Sequence, residues 1–322
     1  MLDKQIEPAI ILNIKHMHDK YSKCTNGGIG MITDMGTILR KAKAEGYGVA
    51  APNVWNSVTV KSVFEAAEEL KAPVIFDCAG IHSLEETIDT VNYYKHKFPN
   101  VSGAINLDHG GDFEEIITAI RCGCTSVMVD RSTLPFEENV KEVAQIVKIA
   151  HAVGVSVEAE LGHVGQGFEY EQTRDSGLTR KEEAAEFVKQ TGVDCLAVSV
   201  GTSHGAYKGT PKLEFKLLAE LHRMLDIPLV LHGGSGTGDE NLQRAVKTGI
   251  QKVNLCTDLS NAGLARLKEY LGIDYDSIVK DGSLGEFGNQ SANMYDLSNA
   301  MGEGYKNLLK HYMKLFGGEN RA

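Results

Sequence analysis

Short apolar, β-branched runs alternate with stretches of helical periodicity along most of the chain. The runs fall at 47–54, 73–78, 102–107, 126–130, 155–161, 195–200, 228–231 and 252–255. Between them apolar residues recur at i, i+3 and i+4, as in Val60, Val63, Phe64, Ala67 and Leu70, or Leu213, Leu217, Leu218 and Leu221. That spacing lays one stripe of a helix against a core. Strand followed by helix, eight times over, predicts an α/β protein built as a (β/α)8 barrel, the TIM barrel. A helix over 33–45, with Thr33 or Asp34 near its N-cap, precedes the first strand, and a terminal helix over 299–315 follows the last. Residues 1–32 have weak periodicity broken at Gly27-Gly28, which predicts an N-terminal arm for packing or oligomer contacts. Residues 33–322 then form a single barrel domain with a C-terminal helical extension. Successive runs start 24 to 33 residues apart except for one interval of 40, whose extra length lies in the Gly-rich, charged segment 162–176. An insert of that composition on a βα connection is a candidate mobile lid.

Composition narrows the class without changing the fold. The 322 residues are 42% hydrophobic, ample for a large core, and carry a net charge of −10. An acidic chain lacks the clustered Lys and Arg that a phosphate backbone requires, so nucleic acid is not an expected partner, although local donors still suffice for a small anion. The six cysteines, Cys24, Cys78, Cys122, Cys124, Cys195 and Cys256, include no Cys-x-x-Cys pair. Reduced thiols in a cytoplasmic protein are the simplest account. The first residues form neither a signal peptide nor a membrane span, so no membrane partner is expected.

In a barrel of this kind the active site lies at the C-terminal ends of the strands. Those ends deliver Asn53, Asp77, Asp108-His109, Asp130, Glu158 with Glu160, Gly201-Thr-Ser-His204, His232-Gly-Gly-Ser235, and Asn254 with Thr257-Asp258. Polar residues ending every strand are better explained by a site than by eight separate buried groups. His109, His204 and His232 each follow an apolar run, whereas His16, His18, His82, His96, His151, His222 and His311 lie in helical or terminal segments and read as surface or packing residues. Three neutral imidazoles with an open position make a catalytic Zn2+ site. The Gly-rich turn after the seventh run and Asn254-Leu-Cys-Thr257 after the eighth occupy the loops where barrels commonly hold a phosphate, and Lys208 adds a cationic charge nearby. No lysine ends a strand, since Lys252 starts one, so a Schiff-base mechanism has no evident nucleophile. A metal electrophile with Asp108 as acid/base remains.

At these residues the sequence resembles the class II, zinc-dependent fructose-bisphosphate and tagatose-bisphosphate aldolase family. The matching motifs are Leu107-Asp-His-Gly110, Val157-Glu-Ala-Glu-Leu-Gly162, Val200-Gly-Thr-Ser-His-Gly205, Leu231-His-Gly-Gly-Ser-Gly236 and Lys252-Val-Asn-Leu-Cys-Thr-Asp258, in register over about residues 31 to 316. The resemblance implies a lyase of carbohydrate metabolism, including glycolysis, that cleaves a ketose 1-phosphate or 1,6-bisphosphate to dihydroxyacetone phosphate and an aldehyde. It implies zinc on His109, His204 and His232, with Glu160 as a nearby or alternative-position ligand. Asp108 becomes the acid/base at the C4 hydroxyl, Asn254 holds the enediolate, and a loop glutamate, Glu169 or Glu171, moves the proton on the dihydroxyacetone phosphate carbon. Gly205, Lys208, Gly233, Ser235, Asn254 and Thr257 would hold the C1 phosphate, with Asn53 also assigned to the substrate. A monovalent cation, Na+ or K+, near that phosphate and a homodimer or homotetramer are further family expectations.

Two departures bear on the substrate. Family members acting on fructose bisphosphate typically carry an aspartate and an arginine where this chain has Cys256 and Ser260, and the arginine grips the second phosphate in some of them. Its loss removes the group best suited to a terminal phosphate unless Arg131, Arg174 or a residue from another subunit substitutes. Trp55, the only tryptophan, is either ordinary core or a wall of the aldehyde pocket. The alternatives to aldol cleavage are a metal-dependent sugar-phosphate epimerase, which needs acid/base groups on opposite faces of one carbon, and a noncatalytic sugar-phosphate-binding protein.

Overall fold

The computed structural model describes residues 11–12, 14–16, 32–80, 83–205, 207, 209–272, 289 and 291–322. Eight parallel strands close into a barrel in chain order: β1 Val49–Val54, β2 Val74–Ala79, β3 Gly103–Gly110, β4 Ser126–Val129, β5 Ser156–Leu161, β6 Cys195–Val198, β7 Leu229–Leu231 and β8 Lys252–Leu255. β1 pairs with β8 through Ala51 and Asn254, which closes the ring. All eight expected strands are present, with ends moved by a few residues. The largest change is β3, which continues through Asp108 and His109 to Gly110. Most of the arm 1–32 lies outside the described residues.

Local chemistry sets where the helices begin and end. Asp34 caps the Met35–Glu45 helix by accepting from the Thr37 N–H at 2.8 Å, and Gly46 ends it in a left-handed conformation. Asn56 and Thr59 form a reciprocal capping box at the start of the Ser57–Leu70 helix. The Phe215–Met224 helix starts after Leu213, which is nonetheless buried in the loop before it. The terminal helix runs from Met294 to Leu315, five residues longer at its start than its apolar stripe predicts, because the Asn293 side chain accepts from the Asp296 N–H and caps it there.

Two apolar layers surround the strands. The larger lies between the barrel and its outer helices and includes Phe64, Phe76, Ile105, Ile116, Phe187 and Leu231. The smaller fills the N-terminal end of the barrel bore with Val49, Ile75, Ala104, Met128, Cys195 and Val230, and Met35, Ile38, Leu39 and Ala42 of the Met35–Glu45 helix close it from below. Strand period puts alternate residues on opposite faces. On β5, Val157, Ala159 and Leu161 join the outer layer, while Glu158 and Glu160 reach polar partners inside. The bore therefore changes from apolar at its floor to charged at its upper end.

The terminal helix packs against the helices Ser57–Leu70 and Thr257–Leu271 through glycines. A Cβ on Gly302 would meet Ser62 Oγ at 2.8 Å, and one on Gly304 would stand 2.3 Å from the Ala262 carbonyl oxygen. Tyr305, the next residue, donates to the Asn53 carbonyl at 2.6 Å, tying this helix to the end of β1. Gly304→Ala is expected to lower stability by about 1–3 kcal/mol, the usual cost of overpacking, read as a reduced urea midpoint with an unchanged m-value.

Candidate active site

A cavity of about 710 Å³ opens at the C-terminal ends of the strands, and Asp108, His109, His204, His232, Ser235 and Asn254 line it. Three imidazole nitrogens from β3, the segment after β6 and the end of β7 lie within 4.8 Å of one another. The Nε2 atoms of His109 and His204 are 3.1 Å apart. Tetrahedral zinc with Zn–N bonds of about 2.05 Å separates its nitrogens by roughly 3.3 Å, so the spacing suits such an ion.

The hydrogen bonds behind the rings settle which nitrogen is free. His109 Nδ1 faces Asp130 Oδ2 at 2.9 Å, and His232 Nε2 faces Glu158 Oε1 at 2.7 Å. Each carboxylate takes the ring N–H, leaving Nε2 of His109 and Nδ1 of His232 with lone pairs toward the cavity. His109 itself has φ +52°, a left-handed conformation costly for a residue with a Cβ. It occurs where the β3–β4 register shifts between Leu107 and Gly110. The irregularity turns the ring into the cavity, and the Asp130 bond helps offset its cost.

Charge competition among these groups is strong. Burial works to lower the His109 pKa, but Asp108 and Asp130 outweigh it and push it up to about 10. Burial, with His232 and His109 close by, pushes His204 down to about 3. Burial and the Asp130 charge raise Glu160 to about 8. Glu160 Oε1 accepts from the Val164 N–H at 2.8 Å, while its Oε2 is buried without a partner. With His109 and Asp130 it forms a second group of possible ligands. Once the His109 proton is released, as metal binding requires, the cluster offers facing lone pairs and one orphaned carboxylate oxygen, the donor set a divalent cation would satisfy.

Asp108 is buried between two amides. Asn53 Nδ2 donates to Oδ2 at 2.8 Å and Asn254 Nδ2 to Oδ1 at 3.1 Å, with His109 Nε2 3.9 Å away. Burial favours the neutral acid, yet His109, His232, Lys252 and the Asn53 bond hold Asp108 below the usual carboxylate range. Asn53 therefore orients Asp108, a role beyond the substrate contact expected of it. Gly205, Gly233, Ser235 and Thr257 also line the cavity. Gly233 has φ +68°, and a Cβ there would come within 2.3 Å of the Ser203 carbonyl oxygen. Ser235 Oγ accepts from the N–H groups of Cys256 and Asp258, which fixes the N-terminus of the Thr257–Leu271 helix at this rim. Lys208 lies outside the described residues.

The segment after β5 folds into a 3-10 turn, Gly167–Glu169, and a short helix, Tyr170–Thr173. Glu169 and Glu171 are exposed and border a separate recess with Tyr207 and Thr210. The structure does not bring either glutamate to the central cavity. Arg131 is committed to Glu142 and to the carbonyls of Gly110 and Asp130, and Arg174 to Glu214 and the Lys212 carbonyl. Neither lines the cavity.

Sequence reasoning passed over two features. His163, inside the insert, reaches the cavity, and its Nδ1 lies 2.9 Å from Ser132 Oγ, which donates to Asp130 Oδ1. Nothing in its spacing distinguishes it. Beneath the rings, Lys252 Nζ lies 2.8 Å from Glu158 Oε2 and 3.5 Å from Asp77 Oδ2, all fully buried. Burial opposes its charge, but the carboxylates keep Lys252 ionised, which in turn holds Glu158 below its usual range. Burial, the dominant influence, raises Asp77 well above the carboxylate range, against the pull of Lys252. The signal was the alternation itself, since Lys252 and Asn254 share one face of β8.

Comparison with known proteins bears on the family and the fold. The family model described as fructose-bisphosphate aldolase class-II matches residues 33–321. A fructose-bisphosphate aldolase of Thermus caldophilus is 37% identical over 319 residues, covering 88% of this chain and 98% of that protein. The X-ray structure of the YdjI aldolase from Escherichia coli K12 has a TM-score of 0.77 at 31% identity, covering 91% of this chain and 100% of that one. A putative fructose-1,6-biphosphate aldolase from Coccidioides immitis shares the fold, with a TM-score of 0.76 at 22% identity over 90% of this chain and 98% of its own.

The Lys252–Glu158 pair has a measurable consequence. Lys252→Met should cost about 3–5 kcal/mol in chemical denaturation of the metal-free protein, because it strands a buried carboxylate. Adding Glu158→Gln should restore much of that loss, giving a large coupling in a double-mutant cycle.

Proposed function

The chain belongs to the class II fructose-bisphosphate aldolase family, and from that premise we propose that it catalyses the reversible retro-aldol cleavage of a ketose 1-phosphate or ketose 1,6-bisphosphate. The products are dihydroxyacetone phosphate and an aldehyde. Membership makes it a lyase, and no described helix is long and apolar enough to cross a membrane. The observation that carries the reading is the convergence in one cavity of three imidazoles, an amide-held carboxylate and a glycine-lined helix N-terminus. A cytoplasmic homodimer or homotetramer is the assembly we propose.

His109, His204 and His232 would hold a zinc ion, with Glu160 as the added or alternative ligand. When bound, that ion supplies a Lewis acid for the C2 carbonyl and for the negative charge left by C3–C4 cleavage. The chain's own groups account for the rest. The amides at Gly205 and Gly233, the Ser235 and Thr257 hydroxyls and the helix N-terminus receive the C1 phosphate, with Lys208 as its cation and a Na+ or K+ ion as a further proposed companion. Asp108 enters the cycle ionised and takes the proton from the C4 hydroxyl as the C3–C4 bond breaks. It returns that proton in the condensation direction. Asn254 holds Asp108 by one side-chain atom and leaves Oδ1 buried and free to meet an enediol hydroxyl. Glu169, or its neighbour Glu171, delivers the proton to the dihydroxyacetone phosphate carbon after the 162–176 segment moves over the cavity, a loop-closure step of a common kind.

Release of dihydroxyacetone phosphate from a panel of ketose phosphates tests this reading. Asp108→Ala should lower kcat by about 10²- to 10⁴-fold, the usual contribution of a general acid/base. Complete chelation should abolish cleavage, and zinc should restore it. Turnover that survives full metal removal would exclude the proposed chemistry.

A further inference from the structure

The two ends of the cavity differ in charge. In a closed ring of eight strands β3 lies four places from β7, so the loops after them face each other across the mouth. The β7 side carries the glycines and hydroxyls assigned above to the C1 phosphate. The opposite side, where the far end of a bound ketose phosphate must lie, is lined by Gly80 at the end of β2 and Glu115 in the helix after β3.

Glu115 is built into that wall. Its Oε2 accepts from the Gly111 N–H at 2.9 Å, and its backbone N–H is held by the Asp112 cap at 2.7 Å. Its Oε1 lies directly over Gly80, where a Cβ would fall 1.4 Å from that oxygen. Any other residue at position 80 would displace the carboxylate. Among the described residues no ion pair involves Glu115, and no lysine or arginine lines the cavity. Arg131 and Arg174, the two candidates within this chain for a compensating cation, are committed elsewhere. The Cys256 thiol on the same rim supplies no positive charge either.

We propose that Glu115 is a specificity residue, seated over Gly80, that selects ketose 1-phosphates with an uncharged, hydroxylated far end and rejects those with a second phosphate there. A terminal hydroxyl donates to Oε1, whereas a phosphate dianion meets a fixed negative charge with no cation beside it among the described residues. This rests on the aldol-cleavage reading and names its substrate class.

The test compares kcat/KM of the zinc-loaded enzyme for matched pairs, fructose 1-phosphate against fructose 1,6-bisphosphate and the tagatose pair likewise. The wild type should favour the 1-phosphates by roughly tenfold or more. Glu115→Gln, which keeps an acceptor for the Gly111 N–H, should shrink that ratio toward one, and Glu115→Lys should invert it, chiefly through KM for the bisphosphate. Independently of any variant, raising the salt concentration should narrow the wild-type ratio as repulsion is screened. A wild type that cleaves the bisphosphate as well as the 1-phosphate overturns the assignment of Glu115 and leaves the aldolase reading intact. So does a ratio that neither substitution nor salt moves. Failure to cleave any ketose phosphate overturns both.

Discussion

A buried ammonium in the bore of the barrel organises what stands above it. Lys252 sits with no exposure between Glu158 and Asp77, and a charge in that position is tolerable only with an ionised partner at close range. Glu158 is that partner, and its second oxygen is committed to His232 Nε2. One ion pair thereby fixes the tautomer of the His232 ring, which Glu158 touches directly, and aims its Nδ1 at the cavity. The apolar plug of Val49, Ile75, Ala104, Met128 and Val230 beneath it denies the pair any water from below, which is why the geometry cannot relax cheaply.

The same logic repeats around the rim. Asp130 orients His109 and is itself held by Ser132, and Asn53 and Asn254 hold Asp108. His109, His232 and Asp108 are thus each placed by a neighbour that spends its own hydrogen bond, the arrangement by which a site keeps its geometry without help from the substrate. Asn53 is anchored further by the Tyr305 hydroxyl on its carbonyl, so the close glycine packing of the terminal helix bears on the position of Asp108. The strained backbone of His109 falls at the one place where the β3–β4 register slips.

Much of this was legible in the sequence. The eight apolar runs and the spacing between them identify the barrel, because strands buried on both faces cannot be polar except where they emerge. The polar residues at those exits include most of the cavity. Other features were hidden for physical reasons. The terminal helix begins at Met294 because a side-chain cap, not an apolar stripe, sets its start. His163 approaches the cavity only through the fold of its loop, and Glu115 only because Gly80 lacks a side chain; neither relation has a local spacing. The pairing of Lys252 with Glu158 joins residues 94 positions apart, and a lysine opening an apolar strand looks from sequence like a boundary, not an interior charge.

The central claim is that the imidazoles of His109 and His232, each aimed by a carboxylate behind it, join His204 in holding the metal on which the proposed activity depends. Zinc K-edge X-ray absorption of the zinc-loaded protein addresses it directly. The account predicts a first shell with three imidazole nitrogens at about 2.0–2.1 Å and no sulfur. A sulfur neighbour at about 2.3 Å, or a shell of oxygens alone, would contradict it.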